Sequence, residues 1–399
     1  MSKYLLACSS WNGLEEQAAI DVIKSGNCTM GKITLEFEKK FASSVGSKYA
    51  VMSNSGSSAN LLAISALCSG ISPLNLKVGE EILVPAVSWP TTYYPIHQNN
   101  LIMRFVDISL DTLNIDETKI EEAITPKTKA IFAVNLLGNP NNFNVIKEIC
   151  KKHNLILLID NCESQSATYN NQECGTVGDV GTYSFFFSHM MSTIEGGMTV
   201  CNDLSLYERL LCIRAHGWLR NLPDRNTIHN KSGDIFEDSF KFALLGYNLR
   251  PTEINAAIGL EQLKKLPKFI EDRRSNHKTF IAELDKRNLR QYLKPQATTE
   301  HSNPSWFGFS VILCDKLSGQ RKLVARKLID ANIECRPIVA GSFIKNPVIQ
   351  YMKHSISGTL DNAERIDKDG LFIGNNPGDL TLEIVYFFDT MEKIIKELQ

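Results

Sequence analysis

GTYSFFFSHMMSTIEGGMTV, residues 181–200, is the stretch from which the rest of the chain is read. It opens as an aromatic strand-like run and reaches Ser184. His189 follows five positions later, and Glu195-Gly196-Gly197 leads into a second apolar run. An imidazole with an unperturbed pKa of about 6.5 moves protons near neutral pH. A histidine satisfied within a core would leave the same letter, but the surrounding Ser184 and Glu-Gly-Gly favour chemistry. No lysine occurs between Lys152 and Lys231.

Outward from this segment the chain alternates. Upstream, ILVP near Ile82, IMRFVDI near Phe105, AIFAVNL near Phe132 and LILLID ending at Asp160 read as strands. NVIKEICKKH between the last two has helical spacing. Strand, helix, strand in that order predicts a parallel α/β arrangement. Helices are also expected around Leu14, Ala18 and Val22, and around Ile33, Phe37 and Phe41. Downstream of Pro251, a long helical stretch should bend or break at Pro267. WFGFSVIL and IECRPIV then read as strands, and RKLVARKLIDA and DTMEKIIKEL as helices. Residues 1–255 are expected as a large domain and 256–399 as a smaller α+β domain.

Three further positions carry candidate chemistry. Gly56 and Ser57 stand in a small-residue turn feeding an apolar helix, where free backbone N–H groups suit a phosphate; such turns also merely cap helices. Trp89 follows a strand and could stack on a planar cofactor, or simply pack. Asp160 ends a strongly apolar strand, where a carboxylate could hold a pyridinium nitrogen protonated, or cap a turn.

Composition narrows the class. The 399 residues are 43% hydrophobic and 22% charged, enough for about two soluble domains. A formal net charge of -1 argues against nucleic acid as partner. No apolar run reaches the roughly 18 residues of a membrane span, and MSKYLLACSSWNG has no secretory-leader pattern. A cytoplasmic location is expected. Ten scattered cysteines without a CxxC pair make a metal site unexpected and point to buried reduced thiols.

The ordered set SGSSANLLA (55–63), VPAVSW (84–89), IDNCES (159–164), residues 181–200, IRAHGW (213–218) and GYNLRPTE (246–253) resembles the DegT/DnrJ/EryC1/StrS sugar aminotransferase family. Similar segments, from MGKITLEFEKKFASSVGSKYAVM to IGLEQLKKLP, SWFGFS and IECRPIV, extend the resemblance over nearly the whole chain. It implies the aspartate-aminotransferase-like fold of pyridoxal-phosphate enzymes (fold type I), with a large mixed-sheet domain, and a homodimer with shared active sites. Where the family's aminotransferases carry the cofactor lysine, this chain has His189. An imidazole cannot replace the lysine's covalent link to the cofactor aldehyde. The pattern therefore resembles the family's dehydratase branch, with non-covalent pyridoxal or pyridoxamine phosphate, L-glutamate as amine donor and His189 as base. A nucleotide-linked 4-keto-6-deoxy sugar would lose its C3 hydroxyl. GDP-4-keto-6-deoxymannose is the favoured substrate, within colitose and O-antigen lipopolysaccharide synthesis. A 4-aminotransferase or a non-catalytic sensor of the same fold are the alternatives.

By the same resemblance Asp160 would hold the ring nitrogen, and Gly56, Ser57 and Ser184 the phosphate. Trp89 would stack on the ring, Glu163 would lie near its phenolic oxygen, and Asn248 would reach the neighbouring subunit's cofactor phosphate. His216, Arg220, Arg250 and Arg336 are candidates for the substrate, arginine's fork matching pyrophosphate oxygens; solvated or ion-paired roles stand equally open for them. Two departures matter. Met190 stands where the dehydratase branch is read as having a second histidine. The iron–sulfur members have clustered cysteines after the HGW segment, whereas HGWLRNLPDRNTIHN (216–230) has none, so no iron–sulfur reductase partner is expected.

Overall fold

The five apolar runs expected as strands lie side by side. The computed structural model describes residues 4–70 and 74–398; the first three residues of the N-terminal segment discussed above lie outside that range. An eight-stranded sheet has the order Tyr49–Ser53, Gly197–Cys201, Val180–Ser184, Ile156–Asp160, Thr128–Val134, Glu81–Pro85, Ile102–Val106 and His354–Ile356. Gly197–Cys201 runs antiparallel to both its neighbours, and the remaining pairings are parallel. The sheet is therefore mixed.

Side-chain alternation explains why these strands are apolar throughout. Ile82, Phe105, Phe132 and Leu158 pack on one face in a cluster with Leu62 and Leu67 of the helix Gly56–Leu67. Leu83, Ile131, Leu157 and Ile159 pack on the other with Ile146 and Ile149 of the helix Phe143–His153. Both faces are covered, so both parities must be hydrophobic. Because the strands are parallel, Ser53, Pro85, Val134, Asp160 and Ser184 all end at one edge, where open α/β sheets bind ligands.

The helix Glu253–Lys286 starts from a capping box at Thr252 and Asn255 and runs unbroken through Pro267. The break expected there does not occur. Leu266, Phe269 and Ile270, all buried around the proline, hold the helix against its neighbours and offset the missing N–H. Residue 255, the expected change of domain, falls in this helix's first turn. Beyond it a four-stranded antiparallel sheet, Leu293–Pro295, Gly308–Leu313, Gly370–Gly374 and Cys335–Pro337, builds its own core with the helix Thr381–Glu397. Among the described residues no helix is long and apolar enough to cross a membrane. All ten cysteines are free, five buried and five partly buried.

Candidate active site

Asp160 is the best-anchored polar group at the carboxyl edge of the large sheet. It is 6% exposed, and its Oδ2 accepts from Asn60 Nδ2 (2.9 Å) and Thr92 Oγ1 (2.8 Å). Its Oδ1 accepts from the Cys162 N–H at 3.2 Å. Asn60 in turn accepts from Thr182 Oγ1 at 2.6 Å, and Thr92 shares a 2.8 Å bond with Ser88. The carboxylate is thus fixed from three separate elements, with lone pairs left for a ligand. Asn60, Thr92 and Thr182 were not singled out from sequence. The available signal was Asn60, a polar residue facing the buried side of the helix Gly56–Leu67.

The helix Gly56–Leu67 begins beside Ser184. Ser55 caps it, its hydroxyl accepting from Ser58 N at 3.0 Å. A Cβ added at Gly56 would stand 2.4 Å from Ser184 Cβ, and one at Gly197 would stand 2.2 Å from the Ser55 carbonyl. Both glycines are therefore needed for close approach: they bring the helix N-terminus, exposed Ser57 and the Ser184 hydroxyl to one place.

His189 sits on the connection between Val180–Ser184 and Gly197–Cys201. Its ring meets Phe307 edge-on at 5.2 Å between centroids and Phe186 at 6.0 Å. The residue is partly buried, and its Nδ1 is buried with no hydrogen-bond partner. Burial, and secondarily the charge of Arg273, push its pKa down to about 3. The imidazole is neutral at physiological pH. Met190 points elsewhere: it is 1% exposed and packs with Phe37, Phe41 and Phe185. The connection is strapped to the long helix, with Ser192 N donating to Gln262 Oε1 (3.0 Å) and Asn255 Nδ2 to the Thr193 carbonyl (2.8 Å).

Glu163 lies three residues beyond Asp160, the end of its strand, and accepts from Leu137 N at 2.9 Å. Burial raises its pKa to about 7; the Leu137 N–H opposes this and the nearby Asp160 charge adds to it.

The remaining candidates divide. His216, at 4.7 Å, and the guanidinium of Arg220, at 4.8 Å, pack against the Trp218 ring, and the Arg250 guanidinium lies 5.7 Å from it. Arg250 Nε donates to exposed Asn248 Oδ1 at 2.9 Å, which ties Asn248 to the same cluster. Trp89 is 57% exposed and, among the described residues, stacks on no other ring. Arg336 is exposed on the small sheet, and its Nη1 donates to the Cys335 carbonyl. No recorded side-chain contact joins Trp89 or Arg336 to either group. Among the described residues no cluster of three metal-ligating side chains occurs.

Comparison with known proteins places this geometry. The model of the DegT/DnrJ/EryC1/StrS aminotransferase family matches residues 11–385. The chain is 51% identical over 394 residues to GDP-4-keto-6-deoxy-D-mannose 3-dehydratase of Escherichia coli O55:H7, covering 98% of this chain and 100% of that one. Two solved structures of a GDP-4-keto-6-deoxymannose-3-dehydratase, each 51% identical, superpose with a TM-score of 0.93. One, a histidine-to-asparagine variant with bound GDP-perosamine, matches 97% of this chain and 100% of its own. The other holds a trapped PLP-glutamate geminal diamine and matches 97% and 99%. This chain belongs to the DegT/DnrJ/EryC1/StrS aminotransferase family.

Proposed function

We propose that this chain is a pyridoxal-phosphate-dependent 3-dehydratase that removes the C3 hydroxyl of GDP-4-keto-6-deoxymannose, with L-glutamate as amine donor and His189 as the proton-moving residue. The observation that carries this reading is His189 itself. A neutral imidazole with an unpartnered Nδ1 stands where an aminotransferase of this family would present its lysine.

The residues present fit the cofactor. The Gly56 cradle has no room for a side chain, the helix start beside it offers free N–H groups, and Asp160 is a fixed carboxylate with acceptor capacity to spare. Gly56, Ser57 and Ser184 would hold the phosphate, and Asp160 the ring nitrogen. Glu163 would stand by the phenolic oxygen, and Trp89 would cover the ring. When bound, pyridoxal phosphate supplies an aldehyde carbon that exchanges amines and a ring that takes up an electron pair.

The protein's own contributions follow from these positions. Asp160, held by Asn60, Thr92 and the Cys162 N–H, would present its carboxylate to the ring nitrogen. Burial disfavours the charged form of His189, so the imidazole is neutral at physiological pH with a lone pair available. Phe186 and Phe307 shield that imidazole from bulk water. His189 would form no lasting covalent link with the aldehyde, so Gly56, Ser57, Ser184 and Asp160 would hold the cofactor through non-covalent contacts alone. His216, Arg220, Arg250 and Arg336 are assigned to the nucleotide sugar, the first three grouped around Trp218 and Asn248 reaching a second subunit's phosphate. Exposed Ile235, Phe236, Phe240, Phe242 and Leu245 lead directly up to Asn248 and support a homodimer. The enzyme is placed in the cytoplasm, in deoxysugar synthesis for lipopolysaccharide.

The test is to incubate purified protein with pyridoxal phosphate, L-glutamate and GDP-4-keto-6-deoxymannose and to follow glutamate and ammonia. Release of ammonia matched to 2-oxoglutarate and to sugar product supports the dehydratase. Retention of the nitrogen in a 4-amino sugar would make the chain an aminotransferase. Binding without any glutamate consumption would make it a sensor.

A further inference from the structure

Gln262 is fully buried on the long helix, and its amide bonds to groups outside that helix. Its Oε1 accepts from Ser192 N (3.0 Å) and from Ser10 Oγ (2.9 Å). Its Nε2 donates to Glu15 Oε1 (2.6 Å) and, at 3.5 Å, to the Ser10 carbonyl. Only one orientation of the amide satisfies these partners. The Ser192 N–H can only donate, so it must face Oε1; a carboxylate can only accept, so it must face Nε2. Turned over, the amide would set N–H against N–H and oxygen against carboxylate, stranding a buried donor at Ser192.

Glu15, in the first turn of the helix Leu14–Ser25, is itself fully buried and fixed. Its Oε1 also accepts from Lys265 Nζ (2.5 Å), and its Oε2 accepts from Asn12 N (3.2 Å). The ammonium favours the charged, accept-only form of the carboxyl. The segment leading to Glu15 begins on the small sheet, where Tyr4 Oη donates to the Gly374 carbonyl (2.9 Å) and Asn376 Nδ2 to the Leu5 carbonyl (3.0 Å). The N-terminal segment therefore links the small sheet, through Gln262, to Ser192, three residues past His189. The connection it meets is under strain: Ile194, a β-branched residue, holds φ 72°. Such a conformation persists only where its surroundings fix it. Asn255 holds the Thr193 carbonyl from the same long helix, and Gln262 holds the residue before.

We propose that Glu15 and Gln262 are positioning residues for His189: the buried carboxylate sets which way the Gln262 amide faces, and the amide holds the connection that carries the imidazole. The inference rests on the reading of His189 given above and extends it to the N-terminal segment. The position at stake is that of the ring, edge-on to Phe307 at 5.2 Å and to Phe186 at 6.0 Å.

Two readings on the cofactor-loaded protein test this without turnover: hydrogen exchange of backbone amides in residues 186–196, and the NMR signals of the His189 ring. Those signals are displaced by the neighbouring aromatic rings and are assigned by their absence in His189→Asn. Gln262→Met keeps the size but removes both bonds, and exchange in the connection should become about tenfold faster. The ring signals should move or broaden with it. Gln262→Glu still accepts from Ser192 but sets two carboxylates face to face, and should disturb both readings in the same way. Combining Gln262→Glu with Glu15→Gln puts a donor opposite the relocated carboxylate. It should return exchange to within about twofold of the unmodified chain and the ring signals to their places. In turnover, Gln262→Met should lower kcat about tenfold while KM for the sugar nucleotide changes less than about twofold. The Met variant and the combined variant decide the matter if Gln262→Glu alone folds poorly. Unaltered exchange in Gln262→Met, or no recovery in the combined variant, would overturn the strap. Faster exchange with unmoved ring signals would overturn the positioning of His189. Failure of the unmodified chain to release a sugar lacking the C3 oxygen would count against the proposed reaction alone, and the exchange and ring comparisons would stand.

Discussion

Asn60 is one of three donors that position Asp160, bonding it from a neighbouring helix while accepting from Thr182. Asn60→Ala removes a bond to a charged group, worth about 1.5 kcal/mol, so pyridoxal phosphate affinity should fall about tenfold; an absorbance titration checks it. Glu163 makes a pH prediction. Its carboxyl is raised to about 7, so the folded chain holds a proton there that the unfolded chain releases near the ordinary carboxylate range. Its stabilising contribution is complete below about pH 4.5 and is lost as pH rises through about 7. In cofactor-free protein, Glu163→Gln should therefore weaken the fall in Tm across that window; identical profiles would contradict the assignment. Residues such as Asp160 and His189 were legible because they interrupt apolar or aromatic runs with chemistry. Asn60 and Thr92 were not, because their meaning lies in Asp160 and Thr182, 68 to 122 positions away, which no local pattern names.

Among the elements, the long helix organises the site more than its amphipathic pattern suggested. Glu253, in its first turn, accepts from Gly31 N, Ile33 N, Thr34 N and Thr34 Oγ1, each at 2.8 Å or less. It thereby satisfies the start of the helix Lys32–Val45 with a negative charge where the dipole favours one. Glu253→Ala strands buried donors, and should cost about 3 kcal/mol in denaturant unfolding. Further along, Asn255 and Gln262 strap the His189 connection, where Ile194 holds φ 72°. The strands Glu81–Pro85, Ile102–Val106, Thr128–Val134 and Ile156–Asp160 were legible from their apolar runs, whereas Tyr49–Ser53 was not read as a strand. The unbroken passage through Pro267 was not legible either: local propensity opposed it, and packing of Leu266, Phe269 and Ile270 prevailed.

At the scale of the molecule, the mixed sheet is completed by residues far apart in sequence. His354–Ile356, only three residues long, forms its outer edge against Ile102–Val106. So short a strand carries no periodic signal, and its place follows from tertiary packing alone. Phe236, Phe240 and Phe242 form an apolar surface that is exposed among the described residues. If it meets a second copy next to the residues assigned to the shared phosphate, Phe236→Ser with Phe242→Ser should shift sedimentation from dimer to monomer. Cofactor affinity should fall with it, by about tenfold for each 1.4 kcal/mol of lost contact. A variant that remains dimeric would place the interface elsewhere.

The most direct measurement compares this chain with His189→Asn in a single-turnover reaction containing pyridoxamine phosphate and GDP-4-keto-6-deoxymannose, read by mass spectrometry of the sugar nucleotide. The account predicts a product lacking the C3 oxygen from the unmodified chain. His189→Asn should still bind cofactor and sugar nucleotide but run at least about a hundredfold slower. A 4-amino sugar from the unmodified chain, or undiminished loss of the C3 oxygen without the imidazole, would contradict it.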